Sequence, residues 1–117
     1  MYSTYEVERK ARPPLNLSGK SKGRFALLNA FVDFSMGSLS RSEIIVWTIL
    51  FRDSKDGIAA TAQEDIARRG RINRRTVGRS LRRLESRGLL KIVHQGGFRR
   101  GVSRYRVCGL ATNFRGT

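Results

Sequence analysis

An arginine-rich segment with a single apolar stripe, residues 71 to 87, limits more than any other feature how this chain can fold. Val77, Leu81 and Leu84 follow one another at i, i+4 and i+7, the spacing at which side chains share one face of an α-helix. Seven arginines and one acidic residue, Glu85, occupy the same segment. The segment therefore predicts a helix that packs on a core with one face and presents positive charge to solvent with the other.

Residues on either side of this segment indicate where the helix begins and ends. Asn73 is among the side chains that most often cap the start of a helix. Gly88 lies where a helix commonly ends in a glycine. A helix from residue 73 to about residue 87 is therefore expected, directly after a sharp connection at Gly70 and Arg71.

Two more helices are predicted upstream, over residues 40 to about 52 and residues 61 to about 69. Each begins with Ser or Thr followed three residues later by Glu, a capping box in which both side chains bond free backbone groups. The first of these helices is apolar on most sides, so we expect its Trp47 in the core. The two boxes are Ser40 with Glu43 and Thr61 with Glu64.

Shorter elements are expected around these helices. Apolar spacing predicts a short helix over residues 25 to 34, and part of its surface is a candidate interface for a homodimer. Residues 58 to 60, 89 to 94 and 102 to 108 are predicted strands, and the glycine-rich stretch between the last two is a hairpin tip. On that tip, Phe98 is expected to fold back onto the core, and insertion against a sugar or base is the alternative.

The two ends of the chain are predicted to lie outside the folded domain. Residues 1 to 23 are expected to form a flexible basic arm, since two adjacent prolines break regular structure and residues 18 to 23 have the composition of a linker. Residues 109 to 117 are expected to be a tail. One folded domain, residues 24 to 108, remains.

The distribution of charge indicates the kind of partner. The net charge is +15, from 24 Lys and Arg against 9 Asp and Glu. Residues 58 to 117 hold 15 basic and 3 acidic residues, a net +12, whereas residues 1 to 57 have a net charge of only +3. Charge that is concentrated in one half of a chain implies a polyanionic partner, of which nucleic acid is the commonest.

The sequence lacks the residues that several classes of function need. Cys108 is the only cysteine and His94 the only histidine, so we expect no disulfide, no metal site and no cofactor. The sequence has no phosphate-binding Gly-Lys-Ser/Thr loop and no plausible Ser, His and Asp set, so enzymatic activity is not expected. The longest apolar run, residues 44 to 47, is far too short to span a bilayer. A cytoplasmic, nucleoid-associated protein is expected.

The order of the predicted elements is helix, strand, helix, tight turn, helix and hairpin. Its signature residues are Thr61, Gln63, Glu64, Asp65, Ile66, Ala67, Arg74, Arg75, Thr76, Val77, Arg79, Leu81, Leu84, Glu85, Gly88, Leu89 and Leu90. With them, residues 40 to 108 resemble bacterial and phage winged helix-turn-helix regulators of the multiple-antibiotic-resistance and gluconate-repressor groups, and the winged helices of replication initiators. The resemblance implies a mainly α fold, with a three-helix core and a small β-hairpin wing of two or three strands.

One position departs from the pattern of these families. They usually have glycine in the turn where Arg71 stands. Either Gly70 takes the left-handed conformation instead, or Arg71 takes it under strain. The choice affects the direction of the helix that follows.

The resemblance also implies which residues contact DNA, because in this motif the third helix enters the major groove and the second braces it. At about 100° per residue, Arg75, Arg79 and Arg82 fall opposite the apolar stripe. Arginine reads guanine through two parallel hydrogen bonds. Base contacts are predicted for Asn73, Arg74, Arg75 and Arg79. Phosphate and wing contacts are predicted for Thr61, Arg71, Thr76, Arg82, Arg83, Arg99, Arg100 and Arg104.

Three functions are consistent with these features. The first is a sequence-specific regulator of transcription that binds double-stranded DNA. The second is the winged-helix domain of a plasmid or phage replication initiator. The third is an architectural or RNA-binding protein whose basic face does not read sequence. The first is the expected function, and RNA is kept as a second candidate partner.

Overall fold

The computed structural model describes residues 19 to 111. Within this range the chain forms four α-helices and one three-stranded antiparallel sheet. The elements are α1 (Gly19–Ala30), α2 (Arg41–Asp53), β1 (Ile58–Ala60), α3 (Gln63–Gly70), α4 (Arg74–Ser86), β2 (Leu90–His94) and β3 (Arg104–Val107), with a π-helical turn (Phe31–Ser35) and a 3-10 turn (Met36–Ser38) between α1 and α2. A mainly helical chain with a small antiparallel sheet agrees with the predicted fold class and is compatible with a winged helix.

The sheet has β3 in its centre, with β1 on one side and β2 on the other. Both pairings are antiparallel, so β2 and β3 form the two arms of a hairpin. Side chains alternate along β3: Tyr105 and Val107 are buried, whereas Arg104 and Arg106 are exposed. One face of the sheet therefore covers the core and the other faces solvent.

Trp47 lies in the core and is fully buried in α2. Its ring stacks on Phe31 and on Phe51, with centroid distances of 3.6 Å and 5.2 Å. Its Nε1–H donates to the backbone carbonyl of Cys108 at 2.9 Å, which satisfies the polar atom of a buried indole. The core position predicted for Trp47 is confirmed.

The apolar stripe predicted for α4 is also confirmed, because Val77, Leu81 and Leu84 are all buried. The helix packs through this stripe against α2, α3 and β2. Gly88 follows the helix with a φ of 83°, and its amide and the next one bond back to carbonyls of the last turn. This left-handed glycine ends α4 as predicted and starts the chain toward β2.

The capping box predicted at the start of α2 is confirmed. Ser40 Oγ accepts a hydrogen bond from the amide of Glu43 at 3.2 Å, and a carboxylate oxygen of Glu43 accepts one from the amide of Ser40 at 3.0 Å. The partners are three residues apart and need no other part of the fold. A local sequence pattern is therefore sufficient to predict the contact.

The second predicted capping box, Thr61 with Glu64, is wrong. α3 begins at Gln63, and its N-cap is Ala62, which has no side-chain cap. The Thr61 hydroxyl instead donates to a carboxylate oxygen of Asp53 at 2.8 Å. Thr61 is thus bound to the end of α2 and is not available to α3.

The linker predicted over residues 18 to 23 is wrong from residue 19 onward, because those residues form the start of α1 (Gly19–Ala30). Arg24, in the middle of α1, donates to the backbone carbonyls of Phe51 and Ser54 at the end of α2. Its guanidinium also lies 4.4 Å from the centroid of the Phe51 ring. Since an arginine makes this contact, a search for apolar spacing does not detect this part of the helix.

Most of the predicted basic arm and most of the predicted tail lie outside the described residues. Between residues 19 and 111, no helix is both long enough and apolar enough to cross a membrane. Over the same range, no group of three or more His, Cys, Asp or Glu side chains comes together in a way that would hold a metal ion.

Candidate nucleic-acid interface

Arg71 makes the sharp turn between α3 and α4. Its φ and ψ are 56° and 45°, so Arg71, and not Gly70, takes the left-handed conformation. Gly70 is still part of α3, where a Cβ would lie only 2.7 Å from Cγ2 of Ile45. Close packing of α3 on α2 therefore requires glycine at residue 70. The left-handed position falls on an arginine, at a cost in conformational energy.

The start of α4 is fixed by an asparagine cap. Asn73 Oδ1 accepts a hydrogen bond from the amide of Thr76 at 2.8 Å, which confirms the predicted cap. Because the apolar stripe of α4 faces the core, its other faces are open to solvent. The exposed arginines of this helix are Arg74, Arg75, Arg79, Arg82 and Arg83.

Two of the exposed arginines lie beside carboxylates. Arg74 Nη1 is 3.2 Å from Oε2 of Glu64 in an exposed pair. Arg83 Nη1 is 3.6 Å from Oε2 of Glu43, whose side chain is 4% exposed. The other three form what we call the outward row, opposite the apolar stripe, and make no ion pair with any described residue. The outward row consists of Arg75, Arg79 and Arg82.

A charged network holds α3 against the end of α2. Arg69 donates to the two carboxylate oxygens of Asp53 at 2.5 Å and 3.2 Å, and to Asp65 at 3.2 Å. The hydrogen bond from Arg69 lowers the pKa of Asp53 below its ordinary value; burial acts in the opposite direction, and the bond from Thr61 lowers it further. The same bond with Asp53 raises the pKa of Arg69.

This network is not predicted by the sequence. Residues 53 and 69 lie on different helices, and no local spacing relates them. The only signal in the sequence is the position of opposite charges at the ends of two consecutive helices, with Asp53 in the last turn of α2 and Arg69 in the last turn of α3. That signal becomes specific only when the packing of the two helices is known.

The tip of the β2–β3 hairpin is a tight, glycine-bounded turn. Gly97 and Gly101 pair across it, and the amide of Arg100 donates to the carbonyl of Gly97 at 2.9 Å. Arg99 has a positive φ of 67°. Both arginines of the tip are exposed. The turn thus presents two cations beyond the paired strands.

The core position predicted for Phe98 is wrong, because its side chain is 88% exposed. The hairpin tip projects beyond the paired strands, so Phe98 has no core surface to cover. Its ring instead lies near the guanidinium of Arg99, 5.3 Å from the ring centroid. An exposed aromatic side chain beside two arginines is suited to contact with a nucleic acid.

The remaining predicted site residues differ in how accessible they are. Arg71, Asn73 and Arg104 are exposed, and Thr76 is half-buried. Thr61 is 5% exposed and its hydroxyl is bonded to Asp53, so we leave it out of the contact set proposed below.

No protein-family model matches this chain, and no curated protein matches it either. A solved structure with some similarity is that of BpsR from Bordetella bronchiseptica, whose DNA binding is regulated by 6-hydroxynicotinic acid. The identity is 18%, the match covers 92% of this chain and 67% of the BpsR chain, and the TM-score is 0.44.

Proposed function

We propose that this protein binds duplex DNA sequence-specifically and acts as a regulator of transcription, with α4 as the recognition helix of a winged helix-turn-helix. The observation that carries the proposal is the outward row, three arginines on the solvent face of α4 with no carboxylate partner among the described residues. Like charges at this spacing repel one another along a helix unless an anion lies between them. The phosphates and guanine edges of a major groove supply the acceptors that these guanidinium groups need.

Base reading is assigned to the first half of α4. Arg75 and Arg79 are one turn apart in the outward row, near the end of the helix that reaches deepest into a major groove. Each guanidinium has the geometry to donate two parallel hydrogen bonds to O6 and N7 of a guanine. Asn73 and Arg74 lie beside them, and Arg74 reaches a base edge by leaving the carboxylate of Glu64.

Contacts to the DNA backbone are assigned to the residues around this row and to the hairpin, which serves as the wing. These contacts fix the position of the protein on the duplex and do not read sequence. On and near α4 they are made by Arg71, Thr76, Arg82 and Arg83, and on the wing by Arg99, Arg100 and Arg104.

The assigned role of α3 is to hold α4 in place. Its last turn is bound to α2 through Arg69 and Asp53, and α4 follows directly after the turn at Arg71. The direction of α4 is then set by contacts within the protein before any DNA is present. Pre-organisation of this kind reduces the entropy that binding would otherwise cost.

The test is a selection of bound sites from a pool of random duplexes, with single-stranded DNA and RNA added as competitors. We expect a short motif that contains guanine to be enriched, and we expect the competitors to displace the duplex only weakly. A pool that stays random while RNA competes as well as duplex DNA would contradict sequence-specific binding and would favour an architectural or RNA-binding protein.

A further inference from the structure

The sheet has a solvent face that the proposed contact of α4 does not use. Lys91 on β2 and Arg106 on β3 are exposed and are direct partners in the sheet register. Arg104 is exposed two residues earlier on β3, on the same face as Arg106. None of the three strands contains an acidic residue. Since Arg104 belongs to the proposed wing contact, we call only Lys91 and Arg106 the sheet patch.

The sheet patch is electrostatically unfavourable by itself. Lys91 and Arg106 carry the same charge and lie directly opposite each other on neighbouring strands, an arrangement that destabilises a sheet. Between residues 19 and 111, no carboxylate forms an ion pair with any member of the patch. A surface that only had to be soluble would mix charges of both signs. A bound polyanion removes the repulsion.

The sheet patch and the outward row lie on different elements that pack on one core. Tyr105 and Val107 of β3 belong to the same core cluster as Leu81 and Leu84 of α4. The sheet patch lies on the face of the sheet opposite those two β3 side chains, and the outward row lies on the face of α4 opposite its stripe. Each set of side chains therefore faces away from the core that α4 and the sheet share.

We infer that the sheet patch binds the phosphate backbone of a second DNA duplex, so that one protein molecule bridges two segments of DNA. The inference rests on the proposed function for the first duplex. Lysine and arginine contacts to phosphates carry no sequence information. The second duplex is therefore bound without sequence preference and with strong dependence on salt.

The test measures capture of a second duplex. A duplex that carries the selected site is fixed to beads and saturated with the full chain, and a short fluorescent duplex of random sequence is then added. Lys91→Gln with Arg106→Gln removes the cross-strand pair and leaves α4 and the wing tip unchanged. Arg41→Gln with Arg52→Gln is the matched control, because it removes the same charge from two exposed positions of α2.

We expect the sheet variant to capture about tenfold less second duplex than the parent, since two phosphate contacts are lost. The control variant should capture nearly as much as the parent. The amount of protein retained on the beads is measured in the same experiment, and it reports binding to the first duplex separately. Loss of capture in the sheet variant alone, with full retention of all proteins, supports the inference.

The other outcomes overturn it. If the parent is retained on the beads but captures no second duplex, the bridging inference is wrong and the proposed function still stands. Unchanged capture by the sheet variant would assign bridging to another surface, such as a contact between two copies of the chain. In a parallel arm with a fluorescent RNA of the same length, capture of RNA in place of DNA would give the patch a different partner. A parent that is not retained on the first duplex contradicts the proposed function and the inference together.

Discussion

Arg71 is the residue at which the direction of α4 is decided. The sequence narrows the left-handed position to Gly70 or Arg71, because one of them must make the turn. Gly70 stays in α3 at a place where the side chain of Ile45 leaves no room for a Cβ, and Arg71 takes the left-handed conformation. Ile45 and Gly70 lie on different helices, so the sequence alone does not reveal this contact.

Arg71→Gly should make the protein more stable and weaken its contact with DNA. Relief of the left-handed strain on a residue with a side chain is expected to give about 1 kcal/mol, which raises Tm by about 4–8 °C in a domain of this size. Loss of one phosphate contact should flatten the dependence of log affinity on log salt by about one. Thermal melts and salt titrations measure the two effects.

The control for this prediction is Arg79→Gly, which places the same substitution within a helix. Arg79 has ordinary helical geometry in α4, so glycine there should cost about 1 kcal/mol of stability. If Arg71→Gly lowers Tm as Arg79→Gly does, the left-handed residue is not a source of strain.

At the scale of the helices and strands, local patterns predict what local contacts determine. The Ser40 and Glu43 capping box forms as predicted because its partners are three residues apart. The same pattern fails at Thr61 because Asp53, at the end of another helix, accepts the hydrogen bond of its hydroxyl. The start of α1 is missed for a similar reason, since Arg24 binds carbonyls of α2.

The network between α2 and α3 predicts a pH dependence of stability. Asp53 has its pKa lowered in the folded state, chiefly by Arg69, so its contribution is complete above its unfolded pKa of about 3.9 and is lost as pH falls through the folded value. Asp53→Asn removes that contribution. The variant should be less stable than the parent at pH 7, and this difference in the free energy of unfolding should close as the pH falls through the lowered pKa of Asp53.

Denaturant unfolding at a series of pH values measures this gap. Glu64→Gln is the control, because it opens an exposed ion pair with Arg74 and should change stability at pH 7 by less than about 1 kcal/mol. A gap between the parent and Asp53→Asn that stays constant from pH 7 down to strong acid would show that the carboxylate charge does not stabilise the packing of α3.

At the scale of the whole molecule, the core depends on α4 burying its apolar stripe while its arginines stay exposed. Leu81→Ala should cost about 2–5 kcal/mol, because it leaves a cavity beneath the helix. The neighbouring Arg82→Ala changes an exposed side chain and should stay within about 0.5 kcal/mol of the parent. Equilibrium unfolding of both variants compares them directly, and equal stabilities would show that the buried face has been placed wrongly.

The outward row is easier to predict from the sequence than the sheet patch. The outward row can be placed from helical periodicity, because every residue that defines it lies on α4. To predict the sheet patch, one has to know that Lys91 lies opposite Arg106. That pairing depends on the register of β2 and β3, which are joined by the hairpin tip. The exposed position of Phe98 is likewise visible only once the end of the paired strands is known.

If α4 reads bases while the wing contacts the DNA backbone, variants of the two elements should lose different properties. Arg75→Ala and Arg79→Ala should each cost about 1–3 kcal/mol of discrimination between the selected and a scrambled site, through loss of a bidentate contact. Arg99→Ala combined with Arg100→Ala should weaken both sites alike and flatten the salt dependence by about one for each lost phosphate contact. All of these side chains are exposed, so the variants should melt near the parent.

The measurement is the affinity of each variant for the selected and the scrambled duplex at several salt concentrations. For the parent, about six phosphate contacts would give a log–log slope near −5. We expect the α4 variants to lose site preference and the wing variant to keep it. If the α4 variants weaken both duplexes equally and leave the preference unchanged, α4 does not read bases, and the assignment as a sequence-specific regulator is wrong.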